Sequence, residues 1–190
     1  MMTELSTLPA DLVAPTDDNT AQHLESIRLP TLILTGTDNV SVNLGELKGR
    51  YVIYIYPMTG RPEIPLPEGW DQIPGARGCT PQSCAFRDHY AELQALNVNV
   101  FGLSSQSTEY QLEARNRLHL PFQLLSDHTL QLRDQLRLPT FSILGITLYK
   151  RLTMIVDNGQ IEKVFYPVFP PDRNADDVIT WLRANPLSIK

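Results

Sequence analysis

Both cysteines of the chain, Cys79 and Cys84, lie in one short stretch, residues 75–84. The attacking species of a cysteine is its thiolate, so the surroundings of each sulfur decide what it can do. Thr80 is a predicted N-cap and Pro81 a first helical residue, and apolar residues then recur with helical spacing. We therefore expect Cys79 just outside or in the first turn of a helix, and Cys84 within that helix.

This placement gives the two sulfurs different chemistry. The unpaired N–H groups and the dipole of a helix N-terminus favour the thiolate of Cys79, and Arg77 adds positive charge nearby, whereas Cys84 has neither aid. On an intact helix, Cα atoms five residues apart are roughly 8–9 Å from each other. A disulfide needs about 4.4–6.8 Å. The two cysteines can therefore bond only if the first turn unwinds, as in a cycle where one thiol attacks and the other resolves the product.

Three other interpretations of these cysteines are open. A static disulfide requires a non-helical stretch, against which Thr80-Pro81 argues. A zinc site would combine Cys79, Cys84 and His89, but residues five apart wind around a helix instead of sharing a face. Inert buried thiols are a third possibility, more for Cys84 than for Cys79. We expect His89 to be a half-exposed helix residue.

Length and composition restrict the class of protein. The chain has 190 residues, 42% hydrophobic and 19% charged, which fits one globular domain. Its formal net charge of −5 argues against nucleic acid or an anionic membrane as a partner. We find no apolar run of about 18 residues and no signal-peptide pattern. Two cysteines in such a chain predict redox chemistry in the cytoplasm.

Hydrophobic patterning predicts alternating strands and helices. The predicted strands are residues 29–35, 40–43, 51–56, 98–104, 122–125, 151–157 and 160–166, and the helices are 82–97, 108–118, 130–136 and 175–185. The first two strands form an N-terminal hairpin, and Asn158-Gly159 predicts another near the end. This order indicates an α/β fold with a mixed central sheet flanked by helices.

The remaining segments are predicted to be irregular. Residues 1–23 are interpreted as a tail or a short docking helix, and residues 24–190 as the domain. Residues 58–78 contain several prolines and glycines and form a long loop, in which Trp70 and Ile73 suggest partial packing. Residues 138–145 are predicted to be a connection.

Four motifs in this order match a known family. They are Tyr56-Pro57 at a strand end, Gly78-Cys79-Thr80-x-x-x-Cys84, Gly102-Leu103-Ser104, and Arg151-x-Thr153-x-x-x-Asp157. This pattern resembles the peroxiredoxins, in particular the bacterioferritin-comigratory (Q-type) group, from about residue 29 to 182. The resemblance implies a thioredoxin-like fold and the thiol-dependent reduction of hydrogen peroxide and organic hydroperoxides.

The resemblance also assigns roles to residues and partners. It implies that Cys79 is the peroxidatic cysteine and Cys84 the resolving one, with an intramolecular disulfide between them. It places Arg151 beside the thiolate and Pro57 as a shield of the site. Thioredoxin or a glutaredoxin is the implied reductant, no metal or cofactor is required, and a monomer or homodimer is expected.

The chain departs from the family at two places. The family's threonine, whose hydroxyl binds peroxide three residues before the peroxidatic cysteine, is replaced by Ala76, and the loop 58–78 carries an insertion. We predict that Thr59 supplies the missing hydroxyl if the insertion loops out after it. Thr80 is the other possible source of this hydroxyl, although the side-chain oxygen of an N-cap residue already accepts a hydrogen bond from the helix.

These departures support two alternative functions. One is a redox sensor or thiol–disulfide exchange protein without peroxidase turnover, and the other is a scaffold that has lost catalysis. The absence of a Cys-x-x-Cys spacing counts against the exchange protein. Slow reaction of Cys79 with peroxide would favour either alternative.

Overall fold

A mixed sheet of seven strands forms the centre of the computed structural model, which describes residues 5–187. The strands are β1 (Ile33–Gly36), β2 (Ser41–Asn43), β3 (Arg50–Ile55), β4 (Val98–Ser104), β5 (Gln123–Ser126), β8 (Leu152–Asp157) and β9 (Gln160–Phe165). Their spatial order is β2-β1-β5-β4-β3-β8-β9. The pairs β3–β4 and β4–β5 are parallel, and the other pairs are antiparallel.

Both faces of the sheet are buried under helices. Side chains alternate along a strand, so Val52 and Tyr54 of β3 face one hydrophobic cluster while Ile53 and Ile55 face the other. The helices are α1 (Cys79–Asp88), α2 (Tyr90–Ala95), α3 (Thr108–Arg117), α4 (Gln131–Leu136) and α5 (Asn174–Ala184). Helices α1, α2 and α5 contribute to the first cluster, and α4 to the second. This arrangement confirms the predicted α/β class, the N-terminal hairpin and the late hairpin.

Two predicted elements differ from the structure. The single helix predicted over residues 82–97 is divided into α1 and α2 at His89. The predicted connection at 138–145 is wrong, because these residues enter a separate antiparallel hairpin, β6 (Thr140–Ile143) and β7 (Ile146–Tyr149). Its strands have only four residues each, too few for the alternation of burial to show in the sequence.

The N-terminal segment lies against the body of the protein without forming a helix over residues 5–23. Ala21 and Leu24 belong to the hydrophobic cluster that contains Ile53 and Ile55. His23 Nε2 is 2.8 Å from the Leu136 carbonyl oxygen. Asp18 Oδ2 pairs with Lys150 Nζ at 2.6 Å. The domain boundary at residue 24 stays a prediction, and residues 1–4 lie outside the described part. None of the helices within residues 5–187 is long and apolar enough to cross a membrane.

Candidate active site

The sheet topology brings the start of α1 and the start of β8 to one place. Strands β3 and β8 are antiparallel, with Ile55 opposite Leu152, so Arg151 lies where β3 ends. The chain leaves β3 there through Pro57 and the long loop, and returns at Gly78 to begin α1. Residues far apart in sequence thus converge at the N-terminus of the helix that holds both cysteines.

Gly78, rather than the predicted Thr80, caps this helix. Its backbone has φ of +106°, and a Cβ there would lie 2.3 Å from Pro171 Cγ. A side chain is therefore excluded by both backbone conformation and space. Cys79 becomes the first helical residue and Pro81 the third, and the Gln82 N–H donates to the Gly78 carbonyl oxygen at 3.0 Å. The close approach of Pro171, which excludes a side chain at this position, is a tertiary contact that local sequence does not reveal.

The Arg151 guanidinium contacts the sulfur of Cys79. Its Nη2 donates to Cys79 Sγ at 3.2 Å, and both side chains are only 3% exposed. The same nitrogen is 3.3, 3.1 and 3.1 Å from the carbonyl oxygens of residues 75, 76 and 77. The structure thus brings together the two residues for which the sequence predicted contact, and it excludes a surface ion pair for Arg151. Since arginine is always protonated, the sulfur lies beside a fixed positive charge.

Three buried polar side chains, linked by hydrogen bonds, hold Arg151 in place. Arg151 Nη1 donates to Gln82 Oε1 at 2.5 Å, and Gln82 Nε2 donates to Asn174 Oδ1 at 2.9 Å. The Thr153 hydroxyl donates to the same Asn174 oxygen at 2.7 Å. We call Gln82, Asn174 and Thr153 the arginine support; none of the three is more than 1% exposed. The residues come from α1, α5 and β8, so they link three elements to the guanidinium.

Sequence reasoning missed most of this support. Gln82 directly follows Pro81 in the predicted helix, where a polar side chain can be solvated as readily as buried. Thr153 carried one signal, a hydroxyl within an otherwise apolar strand, because a buried polar group requires a partner. Asn174 carried no signal, since it begins a helix where polar residues are common.

Cys84 lies on the same helix without a bond to Cys79. It is half-buried, and both cysteines are free thiols. Burial raises the pKa of the Cys84 thiol, an effect that the nearby positive charge of Arg87 partly offsets. Because α1 is continuous from Cys79 to Asp88, the Cα atoms of the two cysteines are held at about the 8–9 Å of helix geometry. A disulfide between them requires α1 to unwind.

Thr59 and Pro57 lie at the end of β3 but face other partners. The Thr59 hydroxyl donates to Gln106 Oε1 at 3.1 Å, and the Thr59 N–H donates to the same oxygen at 2.9 Å. The Pro57 carbonyl oxygen accepts from the Ser104 hydroxyl at 3.2 Å. Both Thr59 and Pro57 are buried. Their roles at the sulfur stay predictions.

The inserted loop and the N-terminal segment close over the sulfur. A cavity of about 10 Å³ lies beside Cys79 and Thr80, and it is lined by the apolar side chains of Leu5, Met58, Leu66 and Trp70 together with Arg77. Trp70 is 2% exposed, which confirms that this part of the loop packs down. A cavity needs about 10–15 Å³ to hold a single water molecule. This space is about that of one water molecule, so an organic hydroperoxide can enter it only if these side chains move.

His89, at the break between α1 and α2, is a half-exposed residue as expected. Its Nδ1 is 3.0 Å from Glu92 Oε2, and its Nε2 is 3.4 Å from Asp176 Oδ1. Both ring nitrogens therefore face carboxylates on the outside of the helix layer.

Comparisons with known proteins agree with this architecture. The redoxin family profile matches residues 19–179. The chain is 31% identical over 157 residues, 82% of its length, to the chloroplastic peroxiredoxin Q of Sedum lineare, of which the match covers 75%. It is equally similar to the rice (Oryza sativa subsp. japonica) chloroplastic peroxiredoxin Q, of which the match covers 64%.

Solved structures share the fold at lower identity. Peroxidoxin BcpB from Mycobacterium tuberculosis has a TM-score of 0.70 at 22% identity, and the match covers 87% of this chain and all of that one. Xanthomonas campestris peroxiredoxin Q has a TM-score of 0.64 at 20% identity, covering 92% of this chain and 98% of that one. These likenesses establish the thioredoxin-like fold.

Proposed function

The chain belongs to the redoxin family, in its peroxiredoxin Q group, and we propose that it is a peroxidase in which Cys79 reduces hydroperoxides. The observation that carries this proposal is the 3.2 Å contact between Arg151 Nη2 and Cys79 Sγ, both buried at a helix N-terminus. A nucleophilic thiolate requires such an electropositive environment. Substrates are hydrogen peroxide and organic hydroperoxides.

In the first step, the Cys79 thiolate attacks the terminal oxygen of the hydroperoxide. An S–O bond forms while the O–O bond breaks, and the sulfur is oxidised to a sulfenic acid by two electrons. The other oxygen leaves as hydroxide or alkoxide and takes a proton from solvent. Negative charge moves from sulfur to this leaving oxygen, so a fixed cation beside the reacting atoms stabilises the transition state. Arg151 supplies that cation, and Gln82 keeps it in place.

In the second step, α1 unwinds at its start and Cys84 attacks the sulfenic sulfur. The thiolate of Cys84 forms the S–S bond, and hydroxide leaves and is protonated to water. The intact helix keeps the two sulfurs apart until the first oxidation has occurred. Cys79 and Cys84 thus act as the peroxidatic and resolving residues of a two-cysteine cycle within one chain.

The cycle is completed by an external dithiol. Thioredoxin or a glutaredoxin donates two electrons to the Cys79–Cys84 disulfide and becomes a disulfide itself. Because this reduction is needed in every turnover, we place the enzyme in a reducing compartment, the cytoplasm. It works as a monomer or homodimer without a cofactor. Pro57 shields the thiolate from solvent, and Thr59 is the residue that sequence reasoning assigns to peroxide binding.

Rapid mixing of the reduced protein with hydrogen peroxide tests this proposal. Tryptophan fluorescence and a sulfenic-acid trap would follow the wild type, Cys79→Ser and Cys84→Ser. We expect fast oxidation of the wild type to the intramolecular disulfide, loss of the reaction in Cys79→Ser, and arrest at the sulfenic acid in Cys84→Ser. Oxidation of the wild type no faster than that of a free small thiol would overturn the proposal and leave a redox sensor or a scaffold.

A further inference from the structure

The position that carries the peroxide-binding threonine in the family has no hydroxyl here. Ala76 is fully buried and packs in a small cluster with Trp70 and Leu148. Its carbonyl oxygen accepts from Arg151 Nη2 at 3.1 Å, so the backbone of this turn keeps its place beside the arginine. Another group must therefore bind the peroxide oxygen that the missing threonine would hold.

Thr80 has a hydroxyl that lacks a partner in the part of the chain that the structure describes. It directly follows Cys79, is 4% exposed, and lines the same small cavity. Because Gly78 is the N-cap, Thr80 is not used for capping, and its hydroxyl forms no hydrogen bond within residues 5–187. Three side-chain atoms in that part of the chain are inaccessible to solvent and have no hydrogen-bond partner: Arg61 Nε, Gln123 Oε1 and Arg151 Nε. The Thr80 oxygen is not among them, so it retains accessible surface.

The site needs this donor because Arg151 is already engaged. Its Nη2 contacts three carbonyl oxygens and the sulfur, and its Nη1 contacts Gln82. Its Nε is inaccessible to solvent. Helix geometry leaves the N–H groups of Cys79 and Thr80 without intrahelical acceptors. The Thr80 hydroxyl adds a side-chain donor to these two backbone donors, at the open end of the helix.

We infer that the Thr80 hydroxyl binds the hydroperoxide and donates a hydrogen bond to the oxygen that leaves. This inference rests on the proposed peroxidase function and names a further catalytic residue for it. As the Cys79 thiolate takes the terminal oxygen and the O–O bond breaks, the departing oxygen gains the electron pair and Thr80 stabilises its charge. The proton that completes the alcohol or water product comes from solvent.

Thr59 provides a matched comparison, because it is a buried threonine near the same loop whose hydroxyl donates to Gln106. It is absent from the cavity lining, whereas its neighbours Met58 and Gly60 contribute to it. For Thr59 to bind peroxide, it would first have to give up the Gln106 contact. Thr80 has no such contact to lose.

The experiment measures oxidation of Cys79 in a Cys84→Ser background, so that one thiol reacts. Thr80→Val keeps the shape and removes the hydroxyl, Thr80→Ser keeps the hydroxyl, and Thr59→Val tests the rival threonine. We expect Thr80→Val to lower the second-order rate constant for hydrogen peroxide on the order of 10²-fold, the effect of removing one donor from a developing oxyanion. Thr80→Ser should remain close to the parent protein, and Thr59→Val should lose less than Thr80→Val.

Alkylation of Cys79 by iodoacetamide separates a role in peroxide binding from general damage to the site. This reagent consumes the same thiolate without a peroxide oxygen, so Thr80→Val should leave its rate unchanged. Equal losses in both reactions, unchanged peroxide rates, or a loss in Thr59→Val instead would each overturn the role of Thr80. If the parent protein is itself inert to peroxide while iodoacetamide reacts, the proposed peroxidase function fails, and this inference fails with it.

Discussion

Gln82 connects Arg151 to the interior of the protein, because its side-chain oxygen accepts from Arg151 Nη1 while its nitrogen donates to Asn174. A guanidinium can only donate, so Gln82 must present its oxygen to Arg151 and its nitrogen to Asn174. Asn174 must then present its own oxygen, which also accepts from Thr153. The charge of Arg151 thus sets the direction of every hydrogen bond in the arginine support.

Gln82→Met should weaken both the fold and the site. Methionine matches the length of glutamine but leaves Arg151 Nη1 without its buried acceptor, at about 1–3 kcal/mol for the unpaired group, while Asn174 Oδ1 keeps only the Thr153 donor. Displacement of the guanidinium should slow Cys79 oxidation roughly 10- to 100-fold, since small misplacements are costly in catalysis. Urea unfolding and rapid mixing with peroxide measure the two effects.

The same substitution at Gln94, which is exposed on α2, serves as the control and should change neither quantity. A Gln82→Met protein that reacts with peroxide as fast as the wild type would show that Arg151 does not need this support.

Tyr54→Phe should accelerate disulfide formation. The fully buried Tyr54 hydroxyl donates to Ser83 Oγ at 3.1 Å and so ties α1 to β3 one residue before Cys84. Removing a hydrogen bond of about 1 kcal/mol that unwinding must break should raise the rate of the second step about fivefold. Sequential mixing, with the sulfenic acid formed first, isolates that step.

Tyr56→Phe is the matched control, because this equally buried tyrosine donates to Gln111 on α3 at 2.7 Å. It should lower the free energy of unfolding without speeding disulfide formation. Equal acceleration in both variants would point to general loosening of the fold instead of release of α1.

Disulfide formation should become faster with rising pH. Burial raises the pKa of Cys84 in the folded protein, with partial offset by Arg87. The stability that its neutral thiol contributes is therefore complete below the ordinary cysteine pKa of about 8.5 and is lost as pH rises through the higher folded-state pKa. Unwinding and thiolate formation thus both become easier at alkaline pH.

We expect the rate of the second step to rise between about pH 7 and pH 9, by up to about tenfold per unit, as the thiolate fraction of Cys84 increases. A pH jump after sulfenic acid formation at pH 7 measures it. The Cys84→Ser protein should show no such phase, and a flat profile in the wild type would contradict the prediction.

Leu5→Ala should open the site to larger substrates. Leu5 forms part of the apolar wall of a cavity of only about 10 Å³ beside Cys79, and it packs onto Gly60 of the inserted loop. Its truncation removes part of the wall that must move, so oxidation by cumene hydroperoxide should gain more than oxidation by hydrogen peroxide. The ratio of the two rate constants is the measurement.

Leu12→Ala is the control, since Leu12 belongs to the same segment but lines a different cavity, with Phe169 and Arg173. An equal change of the ratio in both variants would assign the effect to the whole segment rather than to Leu5.

The relation between the two cysteines and most of the framework follow from local sequence patterns. Cysteines five residues apart at a predicted helix start require unwinding before they can bond, whatever the surrounding fold. The continuous apolar runs of β3 and β4 and the Asn158-Gly159 turn identified their elements, because these patterns depend on local sequence. The Arg151 contact with Cys79 was expected from a motif and is present in the structure.

The partner of each buried polar side chain, in contrast, depends on contacts between distant parts of the chain. Residue 78 can only be glycine, because Pro171, distant in sequence, occupies the space of a side chain. Because Gly78 is the N-cap, the Thr80 hydroxyl does not cap the helix. The Thr59 hydroxyl donates to Gln106. Leu5 closes the cavity although nothing in its local sequence marks it. Such contacts join residues tens of positions apart, and a hydroxyl or amide gives no local sign of which partner will satisfy it.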